Sequence, residues 1–146
     1  MKIFSSIDIS STGMTAERTR MEIISKNIAN ANVTRTSSGT PYRRQMVVFK
    51  ENKNDSFSTY LSRSLSELQN SKGVKVSEIV EDKTPFKQVY DPGHPDADEN
   101  GYVQMPNVDI TTEMVDMISA TRAYEANMSA INSAKNMAMK ALEIGR

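Results

Sequence analysis

Two stretches of apolar residues at helical spacing, one at each end of the chain, constrain the fold more than any other feature. Apolar side chains recur in alternating steps of four and three residues from Ile3 to Ala31 and again from Ile110 to Leu142. This alternation averages 3.5 residues, which keeps a narrow stripe on one side of an α-helix and is the spacing of a coiled-coil seam. The sequence therefore predicts a long helix at each end, built to pack along another helix.

We call these stripes the N-terminal seam and the C-terminal seam. The N-terminal seam, apolar at seven of nine positions, consists of Ile3, Ile7, Ser10, Met14, Glu17, Met21, Ile24, Ile28 and Ala31. The C-terminal seam, apolar at eight of ten positions, consists of Ile110, Met114, Met117, Thr121, Tyr124, Met128, Ile131, Lys135, Ala138 and Leu142. Because unbranched thioethers adapt to irregular neighbours, we interpret the methionines as packing residues in preference to a cofactor-binding group.

The predicted helices are long for a chain of this size. A helix from Ile3 to Asn32 would measure roughly 45 Å, and one from Asn107 to Ile144 roughly 55 Å. A compact chain of 146 residues would form a sphere of roughly 38 Å diameter. We therefore expect either a rod-shaped monomer or seams that other subunits complete.

Composition excludes several classes of protein. Eighteen basic and eighteen acidic side chains cancel, so the charge balance does not favour a nucleic-acid partner. The absence of cysteine excludes disulfides and thiolate metal sites. No segment has the roughly 20 apolar residues of a membrane span. The short apolar run after Lys2, interrupted by Asp8, predicts that there is no conventional cleaved leader.

The middle of the chain has strand-like segments separated by turn formers. Strands are predicted at residues 42–50, 73–80 and 86–90 from β-branched and aromatic content, with an exposed loop at residues 33–41. Residues 56–70 could form a short helix or a polar loop. Residues 101–106 lead into Asn107, the predicted N-cap of the last helix.

These elements indicate a mainly α chain with a small β insert, an α+β fold in which the long terminal helices pair as a coiled coil. We divide it into an N-terminal helix at residues 1–33, a loop and β-rich insert at residues 34–106, and a C-terminal helix at residues 107–146. Asn30 and Asn32, which tolerate the left-handed conformation, are expected to end the first helix.

One loop carries residues that could bind a cation, namely Asp91, His94, Asp96, Asp98 and Glu99. Asp96, Asp98 and Asn100 have the spacing of the first three ligands of an EF-hand, but the twelfth position is Asn107 instead of the required Glu. We favour a rigid, solvated turn and predict no metal and no cofactor.

Nothing in the sequence arranges a catalytic group. There is one histidine and no cysteine, and neither a strained Gly-x-Ser-x-Gly turn nor a phosphate-binding glycine loop is present. Arg43 and Arg44 could contact phosphates, but in a neutral chain we favour ion pairs or an interface. We therefore predict that the protein is not an enzyme.

Several motifs resemble the flagellar basal-body rod and hook proteins. The segment Ile24-Ser-Lys-Asn-Ile-Ala-Asn-Ala-Asn32 resembles the N-terminal signature of these proteins. Further motifs are similar to one branch, the proximal-rod FlgC family. The positions matched in these motifs include Asn27, Asn30, Asn32, Pro41, Tyr42, Arg43, Arg44, His94, Pro95, Gly101 and Tyr102. Segments 113–118 and 121–127 also match, whereas residues 52–72 match nothing in the family.

The resemblance implies a structural subunit of the bacterial proximal rod, which transmits torque and lines the export channel. It implies a location in the periplasmic rod of the basal body, reached by flagellar type III export without a cleaved signal peptide. The implied partners are further copies of the chain, other rod subunits, and the ring and export-apparatus proteins. The alternative is a cytoplasmic coiled-coil adaptor or export-chaperone-like binding module, and an enzyme or calcium-binding module ranks third.

Overall fold

The computed structural model describes residues 2–52 and 73–144, with the side chains of residues 5–52 and 73–143. Its elements are α1 (Lys2–Ala29), β1 (Gln45–Glu51), β2 (Val74–Glu81), β3 (Lys87–Tyr90), β4 (Tyr102–Met105) and α2 (Ile110–Ile144). The α+β class and the long terminal helices are confirmed. The ambiguous segment 56–70 and the side chain of Ile3 lie outside the described part.

The two helices pack against each other as an antiparallel pair. They contain 28 and 35 residues, roughly 42 and 52 Å at 1.5 Å per residue. Asn27 lies beside Glu113, and Gly13 lies beside Asn127, so the numbers rise along one helix and fall along the other.

The ends of the helices differ from the sequence expectation. No residue other than glycine has a positive φ in the described ranges, so neither Asn30 nor Asn32 ends α1 in the left-handed conformation. Instead the side-chain amide of Asn30 donates a hydrogen bond to the Lys26 carbonyl, 2.8 Å away. This bond satisfies one of the last carbonyls of the helix.

Asp109, and not Asn107, caps the start of α2. Its carboxylate accepts hydrogen bonds from the Thr111 amide at 3.2 Å and from the Thr112 hydroxyl at 2.9 Å. The predicted cap Asn107 lies further back and binds the chain near β1 and β2. Asn107 is a good capping residue by type, but its tertiary contacts override that local preference.

The β insert consists of two antiparallel pairs. β1 pairs with β2 from Gln45↔Glu81 to Glu51↔Val74, with a bulge between Val48 and Phe49. β3 pairs with β4 from Lys87↔Met105 to Tyr90↔Tyr102. The three predicted strands are confirmed, but β4 was missed because only four residues separate Gly101 from Pro106.

A small core joins the insert to the helices. It contains Ala31, Tyr42 and Val108, with Val33 packed against it. Further along α1, the Thr12 hydroxyl accepts a hydrogen bond from the Val74 amide at 3.2 Å, which attaches β2 to the helix. The core therefore lies where α1 ends, β1 begins and α2 starts.

Candidate functional site

Asn27 is the centre of a buried polar network beside this core. Only 1% of its surface is exposed. Its Nδ2 donates to the Gln45 carbonyl at 2.9 Å and to Glu113 Oε2 at 3.0 Å. Its Oδ1 accepts from the Tyr42 hydroxyl at 2.9 Å and from the Gln45 amide at 3.0 Å. One side chain thus joins α1, the start of β1 and the first turn of α2.

Glu113 is the buried charge of the network. It is fully buried, and its Oε1 accepts a hydrogen bond of 2.6 Å from Arg44 Nε. A buried carboxylate is costly unless it is paired and hydrogen-bonded, and both of its oxygens have partners here. Glu113 therefore depends on Arg44 and Asn27 together.

Arg44 extends the network to two more carboxylates. Its terminal nitrogens lie 3.7 Å from Asp82 and 3.4 Å from Asp116, and Asp116 also pairs with Arg20 of α1 at 3.2 Å. Arg44 also donates its backbone amide to Asn107 Oδ1 at 2.8 Å. The guanidinium thus links the residue before β1 to α2 and to the residue after β2.

The network shifts the pKa values of its members towards fixed protonation states. Burial lowers the pKa of Arg44, but the hydrogen bond and charge of Glu113 outweigh it and raise that pKa overall. Burial, aided by Glu113 and Glu81, raises the pKa of Tyr42, which keeps the phenol a neutral donor. The Thr84 amide, with Arg44, lowers the pKa of Asp82.

An open groove runs beside the network. It has a volume of about 390 Å³ and lies between α1, β1 and the start of α2. Arg20, Arg44 and Asp116 form its charged side, while Ile23, Met46 and Phe49 contribute apolar surface. The charged atoms are engaged with one another, so this arrangement holds segments together and provides no activated nucleophile.

The helix interface only partly follows the predicted seams. It keeps alternate seam positions such as Ile24 and Ala31, which are buried, and Met117, Tyr124 and Ile131, which are half-buried. At several of the remaining positions the residue one place earlier is the more buried of the two. Examples are Asn27 for Ile28, Glu113 for Met114, Ala120 for Thr121, Asn127 for Met128 and Ala134 for Lys135, and Gly13 lies beside Asn127.

Four large side chains of the C-terminal seam consequently lie outward. Ile110, Met114, Met128 and Leu142 are 43%, 56%, 42% and 76% exposed. These four side chains are therefore not buried between the helices of a single chain, and their role as seam and assembly residues stays a prediction. Small side chains and the polar network occupy the inward face instead: Ala16, Ala120 and Ala134 are buried. Ile7, Met14, Met21 and Ile28 are half-buried.

The loop between β3 and β4 uses its acidic residues to shape turns. Asp91 accepts from the Gly93 amide at 3.2 Å, and Asp98 Oδ1 accepts from the amides of Asn100 and Tyr102, both at 2.9 Å. Within the described ranges no three His, Cys, Asp or Glu side chains converge as they would around a metal ion.

The same loop is attached to the segment after α1. Asp96 accepts a hydrogen bond from the Thr34 hydroxyl at 2.8 Å and lies 3.7 Å from Arg35. His94 Nδ1 accepts from the Asp96 amide at 3.1 Å. The loop that was considered for cation binding thus connects the hairpin of β3 and β4 to residues 34–35 through polar contacts.

The remaining motif residues take local positions. Arg43 donates to the carbonyls of Asp82 and Thr84 and lies 4.4 Å above the Phe86 ring. Gly101 is buried, and Tyr102 packs edge-on against Tyr90 with centroids 5.3 Å apart. Asn32 and Pro95 are exposed, and Pro41 is half-buried.

Sequence reasoning missed Glu113, Asp116 and Asp82 as members of one network. Glu113 precedes a seam methionine and reads as an ordinary polar residue of an amphipathic helix. The available signal was the family resemblance of segment 113–118, which marks Glu113 and Asp116 but does not indicate their partners.

Comparison with known families and proteins gives matches over the whole chain. Residues 7–35 match the family model for flagella basal body rod protein, and residues 99–144 match that for the flagellar basal body rod FlgEFG protein C-terminal region. The flagellar basal-body rod protein FlgC of Bacillus subtilis is 49% identical, with 100% of both chains covered. That of Borreliella burgdorferi is 47% identical over 99% of this chain and 98% of its own.

More distant relatives match equally completely. The flagellar basal-body rod protein FlgC of Escherichia coli O157:H7 is 38% identical over 100% of both chains. Among the described residues, no helix has the length and apolar content required to cross a membrane.

Proposed function

The chain belongs to the FlgC family of flagellar basal-body rod proteins and is a structural subunit of the rod, and on this basis we propose that its C-terminal seam is the assembly surface. The outward positions of this seam, Ile110, Met114, Met128 and Leu142, bind neighbouring subunits. This membership favours the rod subunit over the cytoplasmic adaptor.

The exposed apolar side chains of α2 carry the proposal. The seam residues Met114 and Leu142 are more than half exposed, as is Ile118 one turn after Met114. Large apolar side chains aligned on one flank of a helix are unfavourable in water and are typical of a surface that a partner covers. Subunits of a rod provide such a partner along its length.

The buried network supports a mechanical role. It joins α1, β1 and α2 through Asn27, Arg44 and Glu113, so a force applied to one helix reaches the other two elements through short polar bonds. We assign the chain torque transmission and lining of the export channel, with no catalytic step. The hairpin and its loop contact neighbouring subunits.

The finer placement follows from the family resemblance. The chain occupies the proximal part of the rod in the periplasm and is exported by the flagellar type III apparatus without a cleaved signal peptide. Its partners include copies of itself and basal-body ring and export-apparatus proteins. The terminal helical segments, residues 1–33 and 107–146, act as one axial unit, and residues 34–106 form the insert.

A single charge in the seam tests the assembly surface. Met128→Asp leaves the free chain folded, because Met128 is exposed there. In the rod the carboxylate is buried without a partner, which is strongly unfavourable. We expect at least a tenfold loss of the variant from purified basal bodies, about 1.4 kcal/mol or more, with loss of swimming in soft agar.

Ala126→Asp is the matched control. Ala126 is exposed on the other flank of α2, two residues before Met128, and receives the same charge. We expect this variant to enter basal bodies normally. Normal incorporation and swimming of Met128→Asp would contradict the assignment of the seam to assembly.

A further inference from the structure

The helix pair is rotated away from the arrangement that the seams favour. In α1 the contact lies on Gly13 and Asn27 where the seam has Met14 and Ile28, and alternate seam positions such as Ile24 are shared. One residue corresponds to about 100° of rotation in an α-helix. If half of the seam positions remain in the contact and the other half are replaced by the preceding residue, the helix is rotated by about half of that angle.

A seam-to-seam arrangement would need rotation of both helices and a slide of up to about 3 Å along the pair, because one residue later on two antiparallel helices moves the contact about 1.5 Å in opposite directions. The observed neighbours Gly13 and Asn127 would give way to Met14 and Met128, each one position later in both helices. In the same way Asn27 and Glu113 would give way to Ile28 and Met114. The second arrangement would place larger apolar side chains, Met14, Met128, Ile28 and Met114, between the helices.

The buried network opposes this rotation. Asn27 and Glu113 face each other at 3.0 Å and are bonded to Gln45 and Arg44 of a third element. Turning either helix would draw these groups from their partners and leave buried donors and a buried carboxylate unsatisfied. The Tyr42 hydroxyl would lose its acceptor as well.

A second contact lies in the middle of the helix pair, where the two helices approach closely. A methyl group at Gly13 would lie 2.9 Å from Asn127 Nδ2, so the glycine allows α2 to come closer here than an alanine would. Asn127 is held in place by its own bond to the Ala123 carbonyl at 3.0 Å. This close approach lies on the face that the observed rotation turns inward.

We propose that Asn27, Glu113 and Arg44 form a rotational lock that prevents the helix pair from burying its own C-terminal seam. Buried polar groups are known to select one packing of a helical assembly over others that bury more apolar surface. The purpose of this lock rests on the proposed function: it keeps Met114 and Met128 exposed, where neighbouring subunits bind them.

The absence of cysteine allows a direct test by disulfide formation in the purified full chain. Gly13→Cys with Asn127→Cys reports the observed rotation, and Met14→Cys with Met128→Cys reports the seam-to-seam rotation. Met21→Cys with Thr121→Cys is the pairing reference, because Thr121 Oγ1 already lies 3.6 Å from Met21 Sδ and both residues are seam positions, so this pair is adjacent in either rotation. The lock variant carries Asn27→Leu and Glu113→Leu.

In the otherwise unchanged chain, we expect the first disulfide to exceed the second by at least about tenfold, and in the lock variant we expect the ratio to reverse. The matched control carries Ser25→Leu and Thr111→Leu, which add the same side chains at exposed positions of both helices. It should keep the original ratio.

Two results would overturn the lock. One is an unchanged ratio in the lock variant. The other is loss of the reference disulfide between positions 21 and 121, because the network would then be needed for pairing and not for its rotation. Neither readout requires a rod, so failure of the lock is distinguishable from failure of the assembly surface.

Discussion

At the scale of single residues, Asn27 shows why a polar side chain is buried on the inward face of α1. An aliphatic residue at this position would pack against α2, but it could not bind the backbone of Gln45 or the phenol of Tyr42. The amide uses both donors and both acceptor positions on three different segments. Its burial is therefore compensated by hydrogen bonds.

Asn27→Ala should lower the free energy of unfolding by about 3 kcal/mol, because it leaves several buried groups without partners. Urea denaturation followed by circular dichroism measures this loss. Asn32→Ala is the control: it makes the same substitution in the same motif at an exposed position, and should change stability by less than about 0.5 kcal/mol. Equal effects of the two substitutions would contradict the assigned role.

At the scale of elements, the hairpin of β3 and β4 depends on one glycine. Gly101 has φ of +80° and is buried against Tyr90, whose ring carbon would lie 3.0 Å from an added methyl group. Gly39 has nearly the same backbone angle, +79°, but no atom within 4 Å of such a methyl group. The two positions therefore separate backbone strain from crowding.

Gly39→Ala should cost about 1 kcal/mol, the strain of a left-handed conformation. Gly101→Ala should cost about 1 kcal/mol more, because Tyr90 must shift and its edge-on contact with Tyr102 is disturbed. Thermal denaturation of the two variants measures the difference. If both lose the same stability, the packing of Tyr90 on Gly101 contributes nothing.

At the scale of the whole molecule, the two ends of the helix pair differ in support. One end is held by the network and by β1, whereas towards the other end Met137, Met139 and Leu142 are exposed. Few buried contacts and solvent-exposed backbone hydrogen bonds give low local stability. The free chain should therefore have high local stability around Asn27 and low local stability near the end of α2.

Hydrogen exchange followed by mass spectrometry tests this gradient. Amides of residues 24–27 should be protected in the free chain, while those of residues 137–143 exchange rapidly and gain at least about tenfold protection in purified basal bodies. Full protection of residues 137–143 in the free chain would show that neighbouring subunits are not needed to cover them.

Local sequence patterns were sufficient to predict both helices and three of the strands, but they were insufficient to predict the buried polar network. The 4-3 spacing predicted both helices, and β-branched residues predicted β1, β2 and β3. The cap of α2 was wrong because Asn107 and Asp109 are both good caps, and only contacts with Arg44 and Thr84 distinguish them. Glu113 could not be recognised because its partners lie 69 and 86 residues away.

The sequence by itself determined that two long helices bracket a small β insert, because periodicity and propensity are local properties of the chain. It also predicted that the chain is either a rod-shaped monomer or has seams that other subunits complete. Only the tertiary structure decided which flank of each helix turns inward. That choice depends on Asn27, Arg44 and Glu113 meeting from three separate segments, and burial of a charge makes such a meeting decisive.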